Sequence, residues 1–143
     1  MAESVLTLFR RNALRLGSRP CFHFKKENVW QKLSWVDSEE EVRRLSLGLA
    51  AVGLRPGETV GLLSQTRLEW TLLDLAILAN QAVTVPIYPT LAPDQIAYIL
   101  KDSKASLLIV ENSAEWEKIK SGLEGWSGSM IVIEGKSADG WSL

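Results

Sequence analysis

The spacing of apolar positions changes character part-way along the chain. In the first segment Val5, Leu6, Phe9, Ala13 and Leu16 recur at helical spacing, which predicts an amphipathic helix over residues 2–16 closed by Gly17. Two short β-rich runs then flank Lys26-Glu27-Asn28 and predict a hairpin. Ser34 and Asp37 have the spacing of a capping box. The stripe Val42, Leu45, Leu49 and Val52 behind them predicts a second helix that stops at Gly53. Leu54-Arg55-Pro56-Gly57 reads as a turn.

After that turn the pattern becomes that of a buried parallel sheet. TVGLLS (59–64), VTVPIY (83–88), SLLIVE (106–111) and SMIVIEG (129–135) are short apolar runs with little polar alternation. Between them lie three helical patterns. One covers residues 67–80, opened by a second capping box at Thr66 and Glu69; PDQIAYILKDS starts with Pro93 at its first position; AEWEKIKSGL follows a cap at Asn112 or Ser113. The fold class is therefore α/β: an N-terminal helix–hairpin–helix followed by a parallel βαβαβαβ sheet. The expected divisions are a leading segment at 1–56, a parallel α/β subdomain at 57–135 and a polar, truncated tail at 136–143. Such a sheet needs helices on both faces. One face is expected to lie open, with Trp126 and Trp141 facing a neighbour and the isolated chain only marginally stable.

Composition narrows the classes. The chain has 143 residues, and its 16 Lys+Arg against 17 Asp+Glu give no electrostatic basis for nucleic-acid binding. Its single cysteine, Cys21, excludes an intrachain disulfide. The longest apolar run, WTLLDLAILA, is too short to span a bilayer. The Arg-rich first segment reads as a native helix rather than a presequence, and a cytoplasmic location is the expectation.

Individual candidates for chemistry are few. Cys21 and His23 share a strand face in simple alternation, but nothing nearby completes a metal site. Ser64-Gln65-Thr66 sits where a strand meets a helix start; its hydroxyls and free N–H groups suit an anion, although capping of the helix is the stronger reading. Asp74 is the one carboxylate inside an apolar helix, and an edge position or a basic partner is expected for it. Glu115, Glu117, Lys118 and Lys120 read as a solvated face. Pro86 and Pro89 stiffen the strand exit Pro86-Ile87-Tyr88-Pro89-Thr90 at the sheet edge where open α/β folds bind ligands.

The ordered segments LTLFRRNALRLGSRPCFHFKK, WQKLSW, LRPGETVGLLS, RLEW, VTVPIYPT and AYILKDS carry a family likeness. From about Val5 to Glu111 the chain resembles the N-terminal region of AMP-forming acyl-CoA synthetases, in the long-chain fatty acid–CoA ligase branch. The resemblance implies a parent that uses ATP and Mg²⁺ to form an acyl-adenylate, releases pyrophosphate and passes the acyl group to coenzyme A. It implies the remainder of the parent chain as partner, a homodimer, and peripheral membrane association of the parent. The family's phosphate loop and later motifs have no counterpart here, so no catalytic, cofactor-binding or metal residue carries over and the chain alone is expected to be inactive. Where the family usually has Gly before Ala-Val-Thr-Val-Pro, this chain has Gln81, so the turn there is expected to differ. Two rival readings are a short stand-alone binding or interaction module and a flavodoxin-like ligand-binding domain.

Overall fold

The computed structural model describes residues 3–135 and 140–142. Helix α1 (Val5–Leu16) starts three residues later than its periodicity allows, because Ser4 takes the cap: its Oγ accepts the Thr7 N–H at 3.1 Å. Strands β1 (Pro20–Lys26) and β2 (Val29–Ser34) form the hairpin. Glu27 and Asn28 both have positive φ (51° and 63°), as a two-residue turn matching strand twist demands. Ser34 caps α2 (Trp35–Ala51) by accepting the Asp37 N–H, while the Asp37 carboxylate accepts from the Ser34 hydroxyl.

The second sheet has the order β4-β3-β5-β6-β7 and is parallel throughout. Its strands are β3 (Thr59–Leu63), β4 (Val83–Ile87), β5 (Leu107–Asn112), β6 (Ser129–Glu134) and β7 (Trp141–Ser142). Helix α3 (Leu68–Ala79) joins β3 to β4, and α4 (Pro93–Asp102) joins β4 to β5. Helix α5 (Ser113–Ile119), extended by a 3₁₀ turn at Lys120–Leu123, joins β5 to β6. The two-residue β7 pairs Trp141 with Ile131, so the end of the chain adds a short strand where the pattern gave only a polar tail. The remainder of that tail and the Trp141 side chain lie outside the described residues.

Alternation along the strands divides the core into two layers. Val60 and Leu62 of β3, Leu107 and Ile109 of β5 and Ile131 and Ile133 of β6 pack with Leu45, Leu49, Leu73 and Ile77 of α2 and α3. The alternate residues Leu63, Leu108, Val110, Met130 and Val132 pack with Ile96 and Leu100 of α4 and Ile119 of α5. Both faces are thus covered, and the expected open face is absent among the described residues. Trp126, expected to face a neighbour, instead joins the second layer and donates its Nε1–H to the Ala105 carbonyl at 2.8 Å.

Three helices end in the same hydrogen-bond pattern. After α2, α3 and α4 the pairs Leu54→Leu49 and Gly53→Ala50, Ala82→Ile77 and Gln81→Leu78, and Ala105→Leu100 and Lys104→Lys101 link N–H to carbonyl in a Schellman motif. The motif requires a left-handed residue, and the three positions have φ of 100° at Gly53, 57° at Gln81 and 54° at Lys104. The turn at Gln81 therefore keeps the geometry that glycine would favour, contrary to the expectation, because the two capping bonds and the apolar seat of Ala82 outweigh the strain of a side chain there. Gln81→Gly should stabilise the chain by about 1 kcal/mol, read as a higher urea midpoint at unchanged m-value. By contrast, a Cβ on Gly61 would lie 2.6 Å from Leu100 Cδ2 and 3.1 Å from Leu108 Cδ1. Gly61→Val should cost about 3 kcal/mol in the same titration.

Candidate functional site

In an open parallel sheet the ligand crevice lies at the carboxyl ends of the strands, where successive crossovers leave in opposite directions. Here that point is between β3 and β5: the chain leaves β3 for β4 on one side and returns to β5 on the other. The residues that meet there are Ser64 and Gln65 after β3, Glu111 on β5, Glu134 on β6, and Arg67 and Glu69 at the start of α3.

Their side chains close the edge with hydrogen bonds of their own. Glu111 Oε2 accepts the Gln65 N–H at 2.8 Å and the Ser64 hydroxyl at 3.0 Å. Ser64 is almost fully buried, with 5% of its surface exposed, so its hydroxyl requires such a partner. Arg67 donates through Nε to Glu69 at 2.7 Å and through Nη2 to Glu134, and its Nη1 lies 3.6 Å from Glu111 Oε1. One guanidinium therefore ties α3 to the ends of β5 and β6. A groove of about 530 Å³ that includes Glu69 is lined by Leu33, Leu47, Leu68 and Leu72 together with charged residues of α2 such as Glu41 and Arg44.

The network shifts the charges in the direction its geometry requires. The hydrogen bond to Glu69 raises Arg67 above its ordinary range, against the opposing effect of burial and with further help from Glu134. For Glu69, burial favours the neutral acid, yet the Arg67 hydrogen bond, a backbone N–H and the charges of Arg67 and Lys26 together hold the carboxyl below its usual value.

The sequence candidates fare differently. Ser64 and Gln65 do bind an anionic group, the chain's own Glu111. The capping box expected at Thr66 and Glu69 does not form, because Arg67 is the cap residue, no side chain caps α3, and Glu69 is drawn to the guanidinium. Asp74 is half-buried on α3 rather than enclosed. A register shift between Pro20 and Phe22 turns both Cys21 and Phe22 toward the first core layer and leaves His23 exposed. Burial raises the Cys21 thiol, only partly offset by a hydrogen bond with Ser38, so the thiol is the resting form. Among the described residues no group of three or more His, Cys, Asp or Glu side chains is placed to hold a metal ion. Lys118 and Lys120 pair with Glu115 and Glu117 along α5. Pro86 sits on β4, the outermost described strand on its side, where a nitrogen without a proton leaves no ladder bond unmade. Beyond it the Leu91 N–H closes a turn on the Tyr88 carbonyl at 3.1 Å.

Sequence reasoning missed Arg67, Glu111 and Glu134 as a unit. The available signal was a charged residue ending each of two buried strands, at the edge that a parallel sheet turns to solvent. Glu111 is 46 positions from Gln65, so only the strand order brings them together.

Residues 9–141 match the family of AMP-binding enzymes over nearly the whole chain. The chain belongs to that family. It is 40% identical over 88 residues to a long-chain-fatty-acid–CoA ligase of Mycobacterium bovis, a match covering 62% of this chain and 15% of that protein. It is 33% identical over 113 residues to long-chain-fatty-acid–CoA ligase 6 of Mus musculus, covering 77% of this chain and 16% of the ligase. The chain thus spans about one sixth of the length of these ligases. A crystal structure of a long-chain-fatty-acid–CoA ligase from Archaeoglobus fulgidus superposes with a TM-score of 0.82 at 24% identity, over 96% of this chain and 28% of the other. That likeness shows the same fold. An uncharacterized Mycobacterium tuberculosis protein is also similar, 33% identical over 81 residues that make up 46% of its length. Among the described residues no helix is long and apolar enough to cross a membrane.

Replacing Arg67 by Met should destabilise the fold by about 2 kcal/mol at pH 7, since three carboxylates lose their shared partner. Glu69 has a lowered folded pKa, so its contribution is complete above its unfolded value of 4.5 and disappears as pH falls through the folded one. The gap between wild type and Arg67→Met should therefore narrow below about pH 4.5 in thermal melts taken across pH.

Proposed function

We propose that this chain is the first α/β segment of an AMP-forming long-chain fatty acid–CoA ligase and that it performs no adenylation by itself. The observation that carries this reading is the match of residues 9–141 to the AMP-binding family together with the 40% and 33% identities to ligases of long-chain fatty acids. In the parent reaction the fatty acid carboxylate attacks the α-phosphorus of ATP and expels pyrophosphate, and the thiol of coenzyme A then displaces AMP from the acyl-adenylate. Fatty acid, ATP, Mg²⁺ and coenzyme A belong in this reading to elements contributed by the remainder of the parent chain. The residues of this segment hold their sheet rigid and its carboxyl edge closed, with the turn after β4 fixed by Pro86 and Pro89. A soluble, cytoplasmic parent with peripheral membrane contact, working as a homodimer, fits the same reading.

The similarity to a protein of which the match makes up 46% favours a second reading, a short member of the family used as a binding or interaction module. One experiment separates the two. An antibody against this segment, applied to extract of the source cells, should precipitate a polypeptide several times larger than 15.9 kDa together with ATP- and coenzyme A-dependent synthesis of long-chain acyl-CoA. The purified 143-residue chain should show no ATP–pyrophosphate exchange with a long-chain fatty acid. Precipitation of a 15.9 kDa species without synthetase activity, in a stoichiometric complex with another protein, would overturn the ligase reading in favour of the module.

A further inference from the structure

The β1–β2 hairpin turns a second face to solvent that the core does not use. Directly paired residues share a face, so Phe22↔Leu33 and Phe24↔Gln31 lie on one side of the ribbon and His23↔Lys32 and Lys25↔Trp30 on the other. Phe22 and Leu33 pack against the first core layer, which fixes the orientation of the ribbon. His23, Lys25, Trp30 and Lys32 are turned outward, and all of them are exposed. Trp30 is 67% exposed, whereas Trp35, Trp70, Trp116 and Trp126 are partly buried. The Lys25 ammonium stands 5.5 Å from the centre of the Trp30 ring. Neither Lys25 nor Lys32 has an ion pair among the described residues, while Lys26, on the opposite face, spends its charge on Glu69. The outer face carries no carboxylate; Glu27 lies in the turn that ends it.

We propose that this face of the hairpin is a contact for an anionic phospholipid surface, with Trp30 seated at headgroup level and Lys25 and Lys32 on lipid phosphates. An indole has an apolar body and one N–H donor, and it settles at the boundary between headgroups and acyl chains. Lysines beside it keep their ammonium groups among the phosphates while their stems follow the ring inward. Charge complementarity and the exposed ring together select this occupant. A nucleic acid takes a longer basic track than two lysines provide. An acidic peptide would use the lysines and leave the indole without a role. A patch of this size gives weak, reversible attachment. The proposal deepens the peripheral membrane contact of the ligase reading and rests on that reading for its setting. Its test stands apart, because vesicle binding is measured without synthetase activity.

The 143-residue chain is sedimented with vesicles of phosphatidylcholine alone and with vesicles containing about one-third phosphatidylglycerol, at low and high salt. Binding is expected to the anionic vesicles only and should fall as salt rises. Lys25→Gln/Lys32→Gln should weaken it roughly tenfold. Lys101→Gln/Lys104→Gln removes the same charge from exposed positions at the end of α4 and should change it far less. Trp30→Ala should also weaken binding roughly tenfold, at an unchanged dependence on salt. Phospholipid with brominated acyl chains should quench part of the tryptophan fluorescence of the bound wild-type chain. That part should vanish in Trp30→Phe, which keeps an aromatic partner for Lys25, so this comparison decides if Trp30→Ala does not fold. Absence of wild-type binding to anionic vesicles overturns the proposal. Equal weakening by the two double lysine variants does so too, since net charge and not this face would then hold the protein. So does a bound chain in which Trp30 is not quenched. Competition by polyglutamate that depends on Lys25 and Lys32 but not on Trp30 assigns the face to an acidic protein segment and overturns it equally.

Discussion

The structure depends on the double burial of β3. This strand pairs with β4 on one side and β5 on the other, and both of its faces are covered by helices. Val60, Leu62 and Leu63 are fully buried, which leaves the strand no position for a polar side chain between Thr59 and Ser64. Gly61 follows from the same constraint: Leu100 of α4 occupies the space where a side chain would stand. Charge is therefore confined to positions beyond the ends of the strand, Glu58 before it and Arg67 after it.

That confinement explains the edge. Burying apolar residues on both faces of three adjacent strands leaves polar residues only at their carboxyl ends, with Ser64 and Glu111 following the Leu63–Val110 pair and Glu134 paired one step further on with Asn112. A partly buried carboxylate needs hydrogen bonds or a counter-ion, and a buried hydroxyl needs a partner. Arg67, held at the cap position with 22% of its side chain exposed, supplies the counter-ion to all three carboxylates it faces. The result is a crevice filled by the chain itself.

The helix ends show the same preference of tertiary contacts over local propensity. The Schellman turn after α2 uses Gly53, the residue type suited to positive φ, but those after α3 and α4 use Gln81 and Lys104. In both of these the residue after the strained one is a buried alanine, Ala82 in the first core layer and Ala105 in the second. The gain from seating that alanine and making both capping bonds exceeds the backbone strain. A reading of Gln81 by conformational preference alone was bound to misjudge this turn.

The order of elements, their type and the parallel sheet were legible in the chain because buried strands and amphipathic helices impose periods that survive without knowledge of partners. The caps at Ser34 and Asn112 and the hairpin at Glu27-Asn28 were equally local, being decided within three or four residues. The family likeness rested on ordered short segments of the same kind. The choice between capping and ion pairing at Glu69 was not local, since Arg67 lies within reach of the ends of β5 and β6 only after the strands are paired. The covering of both sheet faces required knowing that α2 packs beside α3 rather than apart with the hairpin. The meeting of Glu111 with Ser64 and Gln65 depended on strand order, because β5 lies beside β3 and not beside β4, its neighbour in sequence. Hydrophobic period fixes which residues are inside and where strands stop, while the side on which each crossover returns decides which of the exposed ends become neighbours.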